Sequence, residues 1–331
     1  MKTVAALLCL VLGCADPALA YLKFSLRSGG AVLPVRWSAT VRYFVNDVSA
    51  VPGVSVSDFQ ATMARAFTTW DAVPTASVRY EFGGLTAARP FDDDGRSTVG
   101  FLSKPGFDRV LGVTSLLVDN VTGAIVESDI YFNSAFPWSV ASNGEADRFD
   151  LESIAVHEIG HLSGLGHSAL GETEIRASGS RRVTSAETVM FPIAYLPGNT
   201  ADRTLKADDI AGISDVYPDG GFDTNLGTLS GHVTMDGRGV FGAHVIAFSP
   251  SSGQMVAGFT LSQDGQFSLA GLSPGVYVVR VEPLDDADIG SFFGLERFEV
   301  GLNFKVTFAD RLVVVPRGGD SGAVDVRVVR K

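Results

Sequence analysis

The sequence predicts an α+β region organised around one helix, followed by an all-β sandwich. Residues 157–168 read His-Glu-Ile-Gly-His-Leu-Ser-Gly-Leu-Gly-His-Ser, directly after a stretch with helical apolar spacing. Ahead of that run, strand-like segments alternate with an amphipathic helix. Beyond residue 221 they give way to short β-runs and Gly-rich turns. The 331 residues suffice for two domains, and 46% hydrophobic with 19% charged residues suits a chain that buries a full core. A net charge of -11 argues against nucleic acid or an anionic membrane as partner.

Residues 1–20 have the pattern of an export signal: Lys2, an apolar stretch over 4–11, and Ala18-Leu19-Ala20 as a small-x-small cleavage site. Such a chain is secreted. The alternative is lipid attachment at Cys14, which would tie the protein to a membrane. Both cysteines, Cys9 and Cys14, lie in this leader, so a chain cut after Ala20 forms no disulfide and depends on packing and bound metal. Residues 21–36 read as an N-terminal arm.

The first domain is expected over 37–219. A strand over 37–45 alternates Val41, Tyr43 and Val45 with Arg42 and Phe44. Ser57 is expected to cap a helix over 58–72, whose core face is Phe59, Met63, Phe67 and Trp70. Short strands follow at 78–82, 99–102 and 112–118, then hairpin-turn chemistry at 119–123 and a strand over 124–132. The acidic turn at 91–95 (Phe-Asp-Asp-Asp-Gly) has the carboxylates for a calcium site, although a solvated loop is the simpler reading. Asp150 caps the next helix, and Leu151, Ile154, Ala155, Ile159 and Leu162 mark its buried stripe. The polar stretch 168–184 reads as a surface loop, and 206–217 as a closing helix.

His157 and His161, four apart, leave one face of a helix together and can reach one metal ion. Glu158, beside the first of them, can reach a metal-bound water without ligating the metal. Gly164 can end the helix in a left-handed turn that returns His167 as a third ligand. Three neutral imidazoles leave a fourth tetrahedral position open, the mark of a catalytic zinc. Only five histidines occur in the chain, and three fall here, so chance is a poor explanation.

The pattern H-E-x-x-H-x-x-G-x-x-H followed by a methionine resembles the metzincin zinc proteases. Ser168 after the third histidine, Val189-Met190-Phe191-Pro192, and the 205–213 segment with Tyr217 resemble the matrixin branch, relatives of the matrix metalloproteases. The resemblance implies a metzincin catalytic domain, a twisted mixed sheet carrying the zinc helix. It implies Met190 as an apolar floor under the metal and Pro192 to Tyr195 as the pocket's outer wall. It also implies the 124–132 strand as the cleft edge on which a polypeptide substrate lies extended, and it keeps structural calcium in view. Two features depart from the pattern. The segment between His167 and Met190 is long, and Tyr195 lies one residue further past the methionine than usual. The cysteine-switch latency of many matrixins has no thiol to work with once the leader is removed.

Pro218-Asp219-Gly220-Gly221 marks a boundary, and a second domain is expected over 226–331 with its core at about 227–284. Runs at 229–235, 243–248, 256–261, 266–269 and 276–281, with later ones at 298–308, 312–315 and 324–329, alternate with Gly-containing turns. Gly231-His232-Val233, Asp264-Gly265-Gln266-Phe267 and Leu272-Ser273-Pro274-Gly275-Val276-Tyr277 resemble the carboxypeptidase regulatory-like sandwich. His232 and His244, without a ligand cluster beside them, read as structural. The whole reads as a secreted zinc endopeptidase. The competing reading is a catalytically silent zinc-binding protein whose sandwich recognises a surface or a glycan. The intact Glu158 speaks against it.

Overall fold

A six-stranded sheet backs the site, and the order of its strands decides which edge faces outward. The computed structural model describes residues 5–8, 23–28, 31–48, 51–103, 110–293 and 299–331. In chain order these begin with β1 (Ala5–Leu8), the hairpin β2 (Ser25–Ser28) and β3 (Ala31–Pro34), then β4 (Val41–Asn46), α1 (Val56–Asp71), β5 (Tyr80–Thr86), β6 (Ser97–Leu102), β7 (Gly112–Val118) and β8 (Ile125–Asn133). The sheet runs β1-β7-β8-β6-β4-β5, with β4, β5, β6 and β8 parallel and β7 antiparallel to β8. The export-signal and Cys14 expectations otherwise fall outside the described residues.

The expected cleft edge is corrected here. The strand over 124–132 is interior, between β6 and β7, and Ile130, Tyr131 and Phe132 are all fully buried. Three consecutive buried side chains are what a strand covered on both faces requires. The outer strand on this side is β1, paired antiparallel with β7, which comes next.

Helix α1 begins earlier than expected. Ser55 is extended at φ -75°, ψ 161° and its Oγ accepts from the Asp58 N–H at 3.1 Å, whereas Ser57 already lies within the helix. The predicted stripe holds: Phe59, Met63, Phe67 and Trp70 are buried, and Trp70 Nε1 donates to the Val156 carbonyl of the next helix at 2.8 Å. That helix, α2 (Leu151–Leu162), follows the short pair β9 (Trp138–Ser139) and β10 (Phe149–Asp150). It is capped by Asp150, as its sequence predicts, through an acceptor for the Ser153 N–H at 2.8 Å. Ile154 is only partly buried; the rest of the stripe is fully so.

The stretch expected as a surface loop is a β-hairpin, β11 (Gly171–Ile175) and β12 (Arg181–Ala186). Its polarity concealed it: apart from Val183, no side chain in either strand is fully buried, so no apolar alternation marks it. Helix α3 (Ala207–Val216) closes this part, with Lys206 and Tyr217 at its ends, and the single turn α4 (Phe222–Asn225) leads onward.

The remainder is all-β. Strands β13 (Gly227–Met235), β15 (His244–Phe248), β16 (Met255–Phe259), β17 (Gln266–Leu272) and β18 (Gly275–Glu282) fall where the sequence expects its runs, and the two-residue β14 (Arg238–Gly239) is added between the first two. The turn α5 (Gly290–Phe293) precedes β19 (Thr307–Phe308), β20 (Val313–Val315) and β21 (Val324–Arg327). One sheet joins β14, β13, β17 and β21; the other joins β16, β15, β18, β19 and β20. The strand expected over 298–308 shrinks to two residues, and 294–298 lie outside the described residues. His244 is buried against Glu282 (Nδ1 to Oε1, 3.0 Å), and the more exposed His232 lies 3.4 Å from Asp325. Among the described residues no helix is long and apolar enough to cross a membrane.

The two parts are joined by more than the chain. Asp208 of α3 is 2% exposed, and its carboxylate accepts from Ser168 Oγ at 2.6 Å and from the β16 Ala257 N–H at 2.8 Å. Thr173 of the β11–β12 hairpin bonds Asp286 through its N–H, at 2.8 Å to the carboxylate, and through its hydroxyl, at 2.7 Å to the carbonyl, and Arg181 donates to the Asp285 carbonyl at 2.6 Å. Burial, with Asp209 beside it, pushes the Asp208 carboxyl up to about 7. The folded chain therefore holds a proton there that the unfolded chain, with an ordinary carboxyl near pKa ~3.9, has released. Stability from this group is full below the unfolded value and is lost as pH rises toward 7. In urea unfolding at pH 5, 6 and 7, the metal-free protein should lose up to about 1 kcal/mol per pH unit relative to Asp208→Asn. Parallel pH profiles for the two proteins would contradict this.

Candidate metal centre

Helix α2 brings His157 and His161 to one face, and the turn after it brings His167 back. The Gly164 N–H donates to the His161 carbonyl at 2.9 Å and the Leu165 N–H to the Gly160 carbonyl at 3.0 Å, the paired bonds of a Schellman cap. Gly164 takes φ +95°, and a Cβ there would come 2.5 Å from the Val35 carbonyl. The arm packs against the same turn: Phe24 donates its N–H to the Gly164 carbonyl at 2.9 Å, and its ring stacks 6.0 Å from that of His161. Lys23 pairs with Asp215 of α3. The helix end is further satisfied by Trp37 Nε1 on the Leu162 carbonyl, 2.8 Å, and by Tyr217 Oη on the Ser163 carbonyl, 2.9 Å.

The Nε2 atoms of His157 and His167 lie 3.1 Å and 3.2 Å from that of His161. Two nitrogens each about 2.0–2.1 Å from one tetrahedral ion are about 3.3–3.4 Å apart, so the donor set fits a single zinc-sized centre. Each Nδ1 faces a backbone carbonyl: His157 to Val189 at 2.7 Å, His161 to Leu165 at 2.8 Å, His167 to Ser291 at 2.8 Å. Carbonyls only accept, so Nδ1 carries the proton on all three rings and the Nε2 lone pairs point inward. Burial lowers all three pKa values, that of His157 to about 3, so the rings are neutral at pH 7 as ligands must be.

Glu158 is 5% exposed, and its Oε2 accepts from the β7 Thr114 hydroxyl at 2.6 Å. Burial raises its carboxyl to about 7, with the Thr114 bond acting the other way. Met190 is buried beneath the helix, and a Cβ on Gly160 would come 2.3 Å from its Sδ. The methionine therefore packs against the helix at Gly160, the residue before His161. The segment ahead of it is held by Asp209, which accepts from the Val189 N–H (3.0 Å) and the Thr188 hydroxyl (2.6 Å). Pro192 is partly exposed, and Tyr195 packs into a second hydrophobic cluster with Phe191, Phe259 and Phe292.

Among the described residues, the three histidines are the one group of potential ligands gathered around a point. Nothing supports calcium at 91–95. The nearby acids are already engaged by backbone: Asp129 accepts from the Phe91 and Thr98 N–H groups at 2.6 and 2.7 Å, and Glu127 from that of Gly95 at 2.5 Å. Sequence reasoning missed Thr114 and the three carbonyls. Thr114 had a weak signal, one of two adjacent hydroxyls in a strand otherwise built of glycine and aliphatic residues; the carbonyls had none.

This arrangement coincides with a family match. The matrixin model, Peptidase_M10, covers residues 36–218, more than half of the chain. The chain belongs to the matrixin family. Matrixins are zinc-dependent, and the region matched holds all three histidines and Glu158. This matrixin is 30% identical over 193 residues to Metalloendoproteinase 1 of Glycine max, covering 55% of this chain and 52% of that one. It is 27% identical over 195 residues to Metalloendoproteinase 4-MMP of Arabidopsis thaliana, 55% of this chain and 48% of the other. Matrix metalloproteinase-20 of Homo sapiens is 28% identical over 167 residues, 50% of this chain and 29% of that one. The chain spans about half the length, or less, of these relatives.

The packing of Met190 on Gly160 gives a direct test. Gly160→Ala should cost about 1–3 kcal/mol in urea unfolding, because the added methyl overpacks a filled core. A loss below about 0.5 kcal/mol would show that the methionine yields easily.

Proposed function

We propose that this matrixin is a secreted zinc endopeptidase in which His157, His161 and His167 hold the metal and Glu158 is the general base. The observation that carries the reading is the convergence of three neutral, carbonyl-tethered imidazoles beside a buried carboxylate. Zinc bound there would polarise the scissile carbonyl and acidify the attacking water. Glu158 takes the water's proton and hands it to the leaving nitrogen; a carboxyl near 7 suits both directions of transfer. Thr114 holds its Oε2, and Oε1 lies against Gly112 of β7, the strand on which the substrate would lie.

The peptide substrate lies extended along β7, replacing the expected 124–132 edge. Main-chain pairing there is independent of side-chain sequence. Residues 5–8 lie on that edge, so removal of the leader, which the export reading requires, bares it. The same reading divides the chain into leader 1–20, arm 21–36, catalytic domain 37–219 and a β-sandwich over 226–331. It assigns Met190 and Gly164 to support of the site, and places Pro192 and Tyr195 on its outer wall.

Glu158→Gln should retain zinc while casein cleavage falls by about 10²–10⁴. Cleavage near the wild-type rate would remove Glu158 from the mechanism. His167→Ala should lose zinc on dialysis. Thr114→Val, with zinc retained, should lower kcat about tenfold with KM little changed, on the scale of one lost hydrogen bond to a charged group. An unchanged kcat would leave the hydroxyl a packing role only. A zinc-loaded wild type that cut no peptide would favour the silent binding protein instead.

A further inference from the structure

His167 differs from the other two histidines in the source of its support. The carbonyls on His157 and His161 come from Val189 and Leu165, within the matrixin-matched region. The carbonyl on His167 comes from Ser291, 124 residues along the chain in the C-terminal region. It is delivered by α5, whose Phe292 is fully buried with its ring edge-on to His167 at 6.2 Å between centroids. Phe292 and Phe293 are anchored on Phe259 of β16 at 5.6 and 5.2 Å, and Phe241 lies 5.5 Å from Phe293. The same apolar cluster takes in Phe191, directly after Met190, and Val183 of the β11–β12 hairpin. The long segment between His167 and Met190 is thus the hairpin that grips the loop before α5, through Thr173 on Asp286 and Arg181 on the Asp285 carbonyl.

We propose that α5 is a positioning element of the metal centre: the Ser291 carbonyl fixes the tautomer and tilt of His167, so zinc affinity depends on the docked C-terminal region. A ring nitrogen without its acceptor can rotate or take the other tautomer, and its Nε2 then no longer meets the ion. The matrixin-matched region by itself supplies acceptors for two ligands; the third comes from outside it. This inference rests on the zinc reading above but not on the protein's cleaving anything.

The test uses the full-length protein, with zinc affinity read by competition against a fluorescent chelator. Phe292→Ala withdraws the anchor of α5 and should weaken zinc binding about 10–100-fold, the usual range for loss of a ligand's outer hydrogen bond. Phe292→Leu, which refills most of the volume, should stay within about threefold of wild type. A second measurement needs no variant. In ¹⁵N-histidine-labelled, zinc-loaded wild type, the His167 Nδ1–H should exchange slowly with solvent and show a nuclear Overhauser contact to α5. Wild-type zinc affinity in Phe292→Ala, or a freely exchanging His167 ring proton in the wild type, overturns the proposal. Zinc bound at full strength by a protein that cut no peptide would instead sink the protease reading and leave this one standing.

Discussion

Three hydrogen bonds from imidazole Nδ1 to backbone carbonyls decide what the rest of this molecule can do. Without them, three close-packed histidines, one buried and two half-buried, would be polar rings free to turn, each with two tautomers. With them, every ring has its proton on the outside and its lone pair on the inside. Burial works in the same direction, because it disfavours the charged form and keeps the rings neutral. Three lone pairs pointing at one another leave a centre that only a cation satisfies.

Each carbonyl sits at the end of a different structural device. Leu165 is set by the glycine cap of α2, where the left-handed Gly164 turns the chain. Val189 is set by Asp209, which grips the N–H of that same residue. Ser291 is set by aromatic packing in the C-terminal region. Helix α3 braces the second of these and the junction beside the third. Its Asp209 steadies the Met190 segment, while Asp208 ties Ser168, next to the third histidine, to strand β16. Two adjacent acids on one turn of helix thereby hold the floor of the site and the junction between the two parts of the chain.

Much of this was legible beforehand, and the reasons differ by element. The stripe of α1, the Asp150 cap and the β13–β18 runs depend on neighbours a few residues away, so periodicity and capping chemistry reveal them. Two of the readings that failed depend on pairings outside the segment itself. The 124–132 strand is interior because β6 and β7 flank it, although Ile130, Tyr131 and Phe132 in succession hinted at burial on both faces. The 168–184 stretch forms a hairpin because the C-terminal region binds its polar groups. Its two strands offer one fully buried side chain and no alternation to read.

The sequence by itself determined the identities and spacing of the metal-binding side chains, and the helix and glycine turn that gather them, because these are short-range facts written in side chains. Tertiary structure alone decided which carbonyls hold the rings, which strand edge faces outward, and that the C-terminal region reaches into the site. Every residue carries the same backbone acceptor, so nothing in the letters distinguishes Ser291 from its neighbours. Only the packing of α5 against His167 does.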